Sequence, residues 1–233
     1  MLYTRVVLER PDIKLLPFLV LFLYSCMATT GTTTSLSQTK LQEIKELGIV
    51  TTTNEEFSVR LSRHEKTNIG GALFGLVGAM VEAGTRSYAD GKRETELSRY
   101  LDNYDVAKVL SERLYTHMES AKAFNVVKDV NTEVSKDLKG MGIDSALKVT
   151  VNEWGLRLCP DALAEQVQAI YNIHGKLLRL DDESVVWEHN ELYLDGECRP
   201  FADFRSTQGL LQTVLSRAAD SVAARIANDI LFP

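Results

Sequence analysis

Two long apolar segments in the C-terminal half of the chain constrain its fold most strongly. Residues 165–180 and 184–194 are rich in β-branched, aromatic and other apolar side chains, and only the acidic stretch 181–183 separates them. This arrangement predicts a long antiparallel hairpin. Because a single hairpin is marginal in water, the chain must cover it with further strands and helices.

The segments around the hairpin predict an α+β domain. Residues 146–158 alternate as a strand does, whereas 106–122 and 209–231 carry apolar residues at helical spacing. Shorter patterns predict a helical turn at 41–47, a strand at 57–61, a loop at 85–103, a strand at 124–130 and a helix at 134–141. We therefore expect a mixed sheet of about four to five strands with helices on one side.

The N-terminal segment predicts secretion. Basic residues Arg5, Arg10 and Lys14 precede an apolar run that contains Pro17 and ends at Cys26. The run is shorter than the roughly 20 residues that span a bilayer. Three interpretations are open for this segment: a signal that leads to a lipid-modified terminus, an ordinary cleaved signal peptide, and an uncleaved membrane anchor.

The four residues Leu23-Tyr24-Ser25-Cys26 resemble the lipobox of a bacterial lipoprotein signal. The resemblance implies a signal peptide at 1–25, palmitate and other acyl chains on Cys26, a flexible tether at 26–40 and a periplasmic domain at 41–233. Three acyl chains anchor a protein firmly. In lipoproteins, aspartate after the cysteine favours inner-membrane retention; because this chain has Met27 there, we expect an outer-membrane anchor facing the periplasm.

Charge and cysteine content narrow the function classes further. Without residues 1–25 the chain has 23 basic and 30 acidic residues, a net charge of −7, which argues against a nucleic-acid partner. Cys159 and Cys198 then form an even pair in an oxidising compartment. We expect a disulfide between them, and two buried free thiols are the alternative.

A glycine-rich stretch, residues 68–84, lies between the predicted strand at 57–61 and the predicted helix at 106–122. Its small residues include Gly71, Gly75, Gly78, Ala79 and Ala83. Most recur every four residues, so a helix here would present a continuous small-residue face. Three interpretations are open: a buried helix on the domain's own sheet, a glycine-zipper surface for a homo-oligomer or another partner, and a membrane-inserted segment. Its uncharged part would span about 21 Å as a helix, less than the roughly 30 Å hydrocarbon core.

Residues that carry catalysis or bind metals are few. The four histidines, His64, His117, His174 and His189, have no i, i+4 partner and no HExxH arrangement. His174 and His189 lie at similar distances from the hairpin turn, so one alternative places them opposite each other. The sequence has no phosphate-binding loop and no nucleophile elbow. We therefore expect that the protein is not an enzyme and that it binds no cofactor or metal. An envelope hydrolase is a minor alternative.

The order of predicted elements resembles the anticodon-binding-domain-like α+β domain of the TolB N-terminal domain, the curli secretion lipoprotein and the lipoprotein activators of penicillin-binding proteins. Residues 105–120, 135–151 and 170–189 carry this resemblance. Members of the group bind proteins or assemble, so the resemblance implies a periplasmic protein-binding or assembly module of the cell envelope. An oligomeric secretion-channel or pore subunit, with 68–84 in the membrane, is the alternative. The insert at 64–103 departs from the family pattern.

Overall fold

A mixed seven-stranded sheet forms the centre of the protein. The computed structural model describes residues 36–61, 88–127, 130, 132, 134–160 and 165–232. The strands are β1 (Glu46–Thr53), β2 (Ser58–Arg60), β3 (Asn125–Val127), β4 (Ser145–Leu158), β5 (Gln166–Arg179), β6 (Val185–Leu194) and β7 (Arg199–Pro200). The helices are α1 (Gln38–Glu43), α2 (Tyr88–Ser98), α3 (Val106–Ala121), α4 (Ser135–Gly140), α5 (Phe201–Ser206) and α6 (Leu210–Leu231).

The strand order is β3-β1-β4-β5-β6, with β2 also beside β4 and β7 also beside β5. Strand β1 runs parallel to β3 and β4, whereas β4, β5 and β6 form an antiparallel meander. The predicted α+β class with a mixed sheet is therefore confirmed. The predicted hairpin is β5–β6, and its turn contains Asp182, which accepts a hydrogen bond from the backbone N–H of Ser184 at 3.0 Å.

The main core lies between the sheet and the long helices α3 and α6. Alternate residues of β4 and β5 face these helices: Leu147, Val149, Val151, Tyr171, Ile173 and Leu177. The residues of helix α6 that are buried in this core include Leu211, Val214, Leu215, Ala218, Val222 and Ile226. A smaller cluster, in which Leu138 of α4 packs with Val50 and Ala146, covers part of the other sheet face. The two long helices thus share one side, as predicted.

Two stretches differ from their predicted structure. Residues 46–53 form the interior strand β1, whereas the sequence predicts a helical turn at 41–47; helix α1 covers only Gln38–Glu43. Helix α2 lies inside the predicted loop 85–103. In β1, four consecutive residues from Leu47 are buried, because both sheet faces are covered there. A strand buried on both faces lacks the alternation that marks a strand in sequence.

Several predictions fall outside the described residues. These are the signal peptide at 1–25, most of the tether at 26–40 and the glycine-rich stretch at 68–84. At the end of the tether range, Leu36 is buried and α1 begins at Gln38, with the Ser37 side chain as its N-cap. Within the described part of the chain, none of the helices has the length and apolar character needed to cross a membrane.

Candidate functional site

The structure joins Cys159 and Cys198 in the predicted disulfide, with their Cα atoms 6.2 Å apart. Cys159 follows β4 directly and Cys198 precedes β7. The bond therefore closes a ring that contains the whole β5–β6 hairpin. Cys159 is 3% exposed, whereas Cys198 is exposed, so the bridge ties a surface loop to the edge of the core.

The loop after β6 is fixed by ion pairs as well as by this disulfide. Arg217 of α6 donates to the carboxylates of Asp195 and Glu197, at 2.6 Å and 2.7 Å. These hydrogen bonds raise the pKa of Arg217. Arg199 and then Arg217 lower the pKa of Glu197. Asp195 is buried, so Arg217 compensates a carboxylate that water hardly reaches.

Strand β6 forms the long outer edge of the sheet in the described structure. The N–H of Asp195 donates to the carbonyl oxygen of Ala169, which makes Ile170 and Leu194 a pair without mutual hydrogen bonds. Hydrogen-bonded and non-bonded pairs alternate along an antiparallel ladder. The backbone N–H and C=O groups of alternate β6 residues therefore point away from β5: Glu188, Asn190, Leu192 and Leu194.

The side chains along this edge include exposed apolar residues. Val185, Leu192 and Leu194 are 38%, 53% and 36% exposed. Proteins protect long edges with lysine, proline or bulges. Strand β6 contains neither lysine nor proline over its ten residues, and its one register irregularity lies near its start, at Val186. The edge is therefore a surface to which another strand can bind.

The carboxylates of β6 are paired within the chain. Glu188 lies 3.0 Å from Lys176 and 2.9 Å from His174, and these hydrogen bonds lower its pKa. Glu191 lies 2.7 Å from Arg225 and 3.3 Å from His189. The edge therefore carries less uncompensated negative charge than its sequence suggests.

The described histidines do not converge on a common site. His174 is opposite Asn190, and His189 is opposite Gly175, so the two histidines lie on opposite faces of the hairpin. His117 contacts Asp220 across α3 and α6 at 3.2 Å. The described residues contain no group of three or more side chains that suits a metal ion.

Two polar depressions lie elsewhere on the surface of the described residues. One, of about 590 Å³, lies along α6 and is bordered by Arg113, Gln212 and Ser216. The other, of about 290 Å³, lies beside β2 and contains Glu55, Glu94 and other polar residues. Both are lined mainly by charged and polar side chains, whereas small-molecule sites are mostly apolar and enclosed. We therefore regard the β6 edge as the candidate site.

The β6 edge was not among the sites predicted from sequence. The predicted lipidation site Cys26 lies outside the described residues, as do the predicted contact residues Gly71, Gly75, Gly78, Ala79 and Ala83. Strand β6 carries apolar residues on both faces, including exposed Leu192 and Leu194 beside buried Tyr193. That pattern indicates a strand with exposed apolar side chains. The sequence alone does not show which strand lies at the edge of the sheet.

Neither a family model nor a curated protein matches this chain. Among solved structures, the chain is similar to the PelC dodecamer from Paraburkholderia phytofirmans at 11% identity and a TM-score of 0.42, over 80% of this chain and 86% of that one. It is also similar to protein XCC0632 from Xanthomonas campestris, at 10% identity and a TM-score of 0.40, over 81% and 85%.

A third likeness concerns a protein named in the sequence resemblance. TolB from Acinetobacter baumannii is 13% identical with a TM-score of 0.31, over 84% of this chain and 29% of TolB. Solved structures named as lipoproteins, from Neisseria meningitidis and Acinetobacter baumannii, also match. The solved structures similar to this chain therefore include bacterial lipoproteins. At these identities and TM-scores, the likeness carries no argument about function.

Proposed function

We propose that this chain is a non-enzymatic lipoprotein of the outer membrane whose periplasmic domain binds or assembles with proteins of the cell envelope. The observation that carries the proposal is the outer edge of β6, where backbone hydrogen-bonding groups and exposed Leu192 and Leu194 occur together. An added strand satisfies such groups and covers such side chains, which is the mode of binding called β-augmentation.

The edge is rigid enough to serve as a template. The tight turn with Asp182 holds its start, and the Arg217 ion pairs with the Cys159–Cys198 disulfide hold its end. In between, β6 packs on the core through Trp187 and Tyr193, which are 2% and 7% exposed. A strand fixed in this way loses little conformational entropy on binding.

The lipid anchor is supported by the sequence before the domain. Leu36, the first buried residue that the structure describes, lies ten positions after Cys26. Such a stretch spans at most about 35 Å when fully extended. An acylated Cys26 would therefore keep the domain close to the bilayer surface, where other envelope proteins are concentrated.

The chemistry of the described polar residues also favours binding over catalysis. His117, His174 and His189 each contact a carboxylate of their own chain at 3.3 Å or less. In the described structure these imidazole rings hydrogen-bond to carboxylates, and Ser120 donates to the backbone carbonyl of His117 rather than to its ring. The pairs instead join neighbouring elements, such as α3 to α6 through His117 and Asp220.

The proposal is tested in cells with the full chain. A photoreactive amino acid at Leu192 should form adducts with other protein chains, whereas the same group at exposed Thr116 on α3 should form far fewer. Labelled palmitate should enter the wild-type chain but not Cys26→Ala. Equal adduct yields at the two positions would contradict the binding surface, and an unlabelled wild-type chain would contradict the anchor.

A further inference from the structure

We propose that the strand bound at this edge is β6 of a second copy of the chain, paired antiparallel about a two-fold axis at Asn190. The two sheets would then form one continuous sheet. This inference rests on the proposed function, because it names the partner of the same edge. It does not follow from that function, since a different envelope protein would also use the edge.

The backbone of β6 suits self-pairing. A two-fold interface requires one surface to be complementary to itself. With the axis at Asn190, the outward backbone positions from Glu188 to Leu192 meet one another: Asn190 is opposite Asn190 of the second copy, and Glu188 is opposite Leu192. Leu194 is opposite Val186, which lies at the register irregularity of β6, so the regular ladder covers Glu188 to Leu192.

Charge favours this register over the two nearest registers that keep the two cores on the same side. With the axis at Asn190, His189 is opposite Glu191 of the second copy, and this contact occurs twice. An axis one residue later places Glu191 opposite Glu191, and like charges directly opposite each other are destabilising. An axis one residue earlier places His189 opposite His189 and loses both contacts between His189 and Glu191.

The apolar and aromatic side chains agree with the same register. On the core face, Trp187 is opposite Tyr193 of the second copy; both are already buried in their own chain, so this position adds no charged side chain to the interface. The exposed Leu192 is covered by the alkyl part of Glu188, whose carboxylate is already bonded to Lys176 and His174. Leu192 is the most exposed apolar side chain of β6, so its burial is the largest gain along the strand.

Membrane attachment makes a modest interface sufficient. Two copies anchored in one leaflet share a thin layer, which raises their effective concentration well above that of free chains. The pairing therefore needs less affinity than a dimer in dilute solution. The relevant experiment uses the full chain in its membrane.

Cysteine crosslinking in membranes tests the register directly. Asn190→Cys should form a disulfide-linked dimer on mild oxidation, because the two Cα atoms of a hydrogen-bonded pair lie about 5.5 Å apart. Glu188→Cys and Leu192→Cys should link to each other when the two variants are co-expressed. Leu194→Cys is the matched control: its two copies lie eight residues apart along the strands, about 27 Å, and should not link.

A second variant separates pairing from folding. Asn190→Pro removes an N–H that points away from β5, so we expect loss of the dimer in membranes. The thermal unfolding midpoint should not change in dilute solution, where the wild-type chain is monomeric. Asn190→Thr should keep both the dimer and the thermal unfolding midpoint. Dimers through Leu194→Cys, or none through Asn190→Cys, would overturn the inference. If Leu192 crosslinks to a different protein while Asn190→Cys remains monomeric, the proposed function stands and self-pairing is wrong.

Discussion

The carbonyl oxygen of Ser58 lies so close to Gly155 that a Cβ atom on this glycine would sit 1.9 Å from it. Ser58 and Gly155 are partners in the parallel pairing of β2 with β4. Gly155 also has a φ of 144°, which side-chain-bearing residues rarely adopt. The glycine thus permits the approach of β2 to the sheet.

We predict that Gly155→Ala destabilises the protein by at least about 2–3 kcal/mol, because both the backbone of β2 and the φ angle of residue 155 must change. Gly91→Ala is the matched control. Gly91 lies in helix α2 with no atom within 4 Å of an added Cβ, so alanine should stabilise the helix by up to about 1 kcal/mol. Urea unfolding of the two variants measures both changes. Equal effects would contradict the close approach of Ser58.

Removal of the disulfide should lower stability substantially. The bond closes a loop with a sequence separation of 39 residues, for which chain-entropy arguments give about 3–4 kcal/mol. We expect Cys198→Ala to lower the free energy of unfolding by this amount. The wild-type protein should approach the variant when a reductant is added during thermal unfolding.

The Cys198→Ala variant itself supplies the control for the reductant. Its thermal midpoint should be the same with and without reducing agent, because the bond is already absent. A wild-type midpoint that does not respond to reductant would mean that the ring contributes little.

Tyr171 connects the sheet to α6 at the centre of the core. Its hydroxyl donates to the carbonyl oxygen of Leu215 at 3.2 Å, so the hydroxyl of Tyr104, at 3.3 Å, donates to Tyr171. Tyr171→Phe would leave the Leu215 carbonyl without this donor. We expect a loss of about 1–2 kcal/mol at pH 8, measured by denaturant unfolding.

The same hydroxyl makes stability depend on alkaline pH. Burial, followed by the proximity of Tyr104, raises the pKa of Tyr171 well above its usual value of 10.0. A group with a raised pKa contributes stability below its unfolded pKa and loses that contribution as pH rises further. The stability difference between wild type and Tyr171→Phe should therefore narrow above pH 10. A constant difference between pH 8 and pH 11 would contradict this assignment.

Glu188 should produce the opposite dependence on pH. Its hydrogen bonds to Lys176 and His174 lower its pKa below the usual value of 4.5. Its stabilising contribution is therefore present above pH 4.5 and disappears as pH falls through the lowered pKa. We expect Glu188→Gln to cost less than about 1 kcal/mol at pH 7, since the pair is partly exposed, and to cost nothing at pH 2. Urea midpoints at both pH values measure this; an undiminished cost at pH 2 would contradict an ionic origin.

Much of the fold follows from local sequence patterns. Helix α3 begins after Asp105, whose side chain accepts from the N–H of Lys108, and aspartate is a preferred residue at this N-cap position. The hairpin and α6 follow from periodicity in the same way. Strand β1 does not, because its place inside the sheet depends on pairing with β3 and β4, which lie more than 70 residues away in sequence.

The candidate site illustrates why the remainder could not be predicted. Alternation shows that β6 is a strand, but only the assembled sheet shows that no other described strand covers its outer side. Similarly, His174 and His189 are near-symmetric about the turn in sequence. The irregularity between Leu177 and Leu178 changes the register of the hairpin and places the two histidines on opposite faces.

The position of the Cys159–Cys198 bond has a mechanical consequence. The chain enters the β5–β6 hairpin at Cys159 and leaves it at Cys198, so a force that pulls the two chain ends apart passes through the sulfur atoms and bypasses both strands. The enclosed residues would not extend under load. They would otherwise add about 130 Å of contour length, so oxidation keeps the β6 edge folded on a chain under tension.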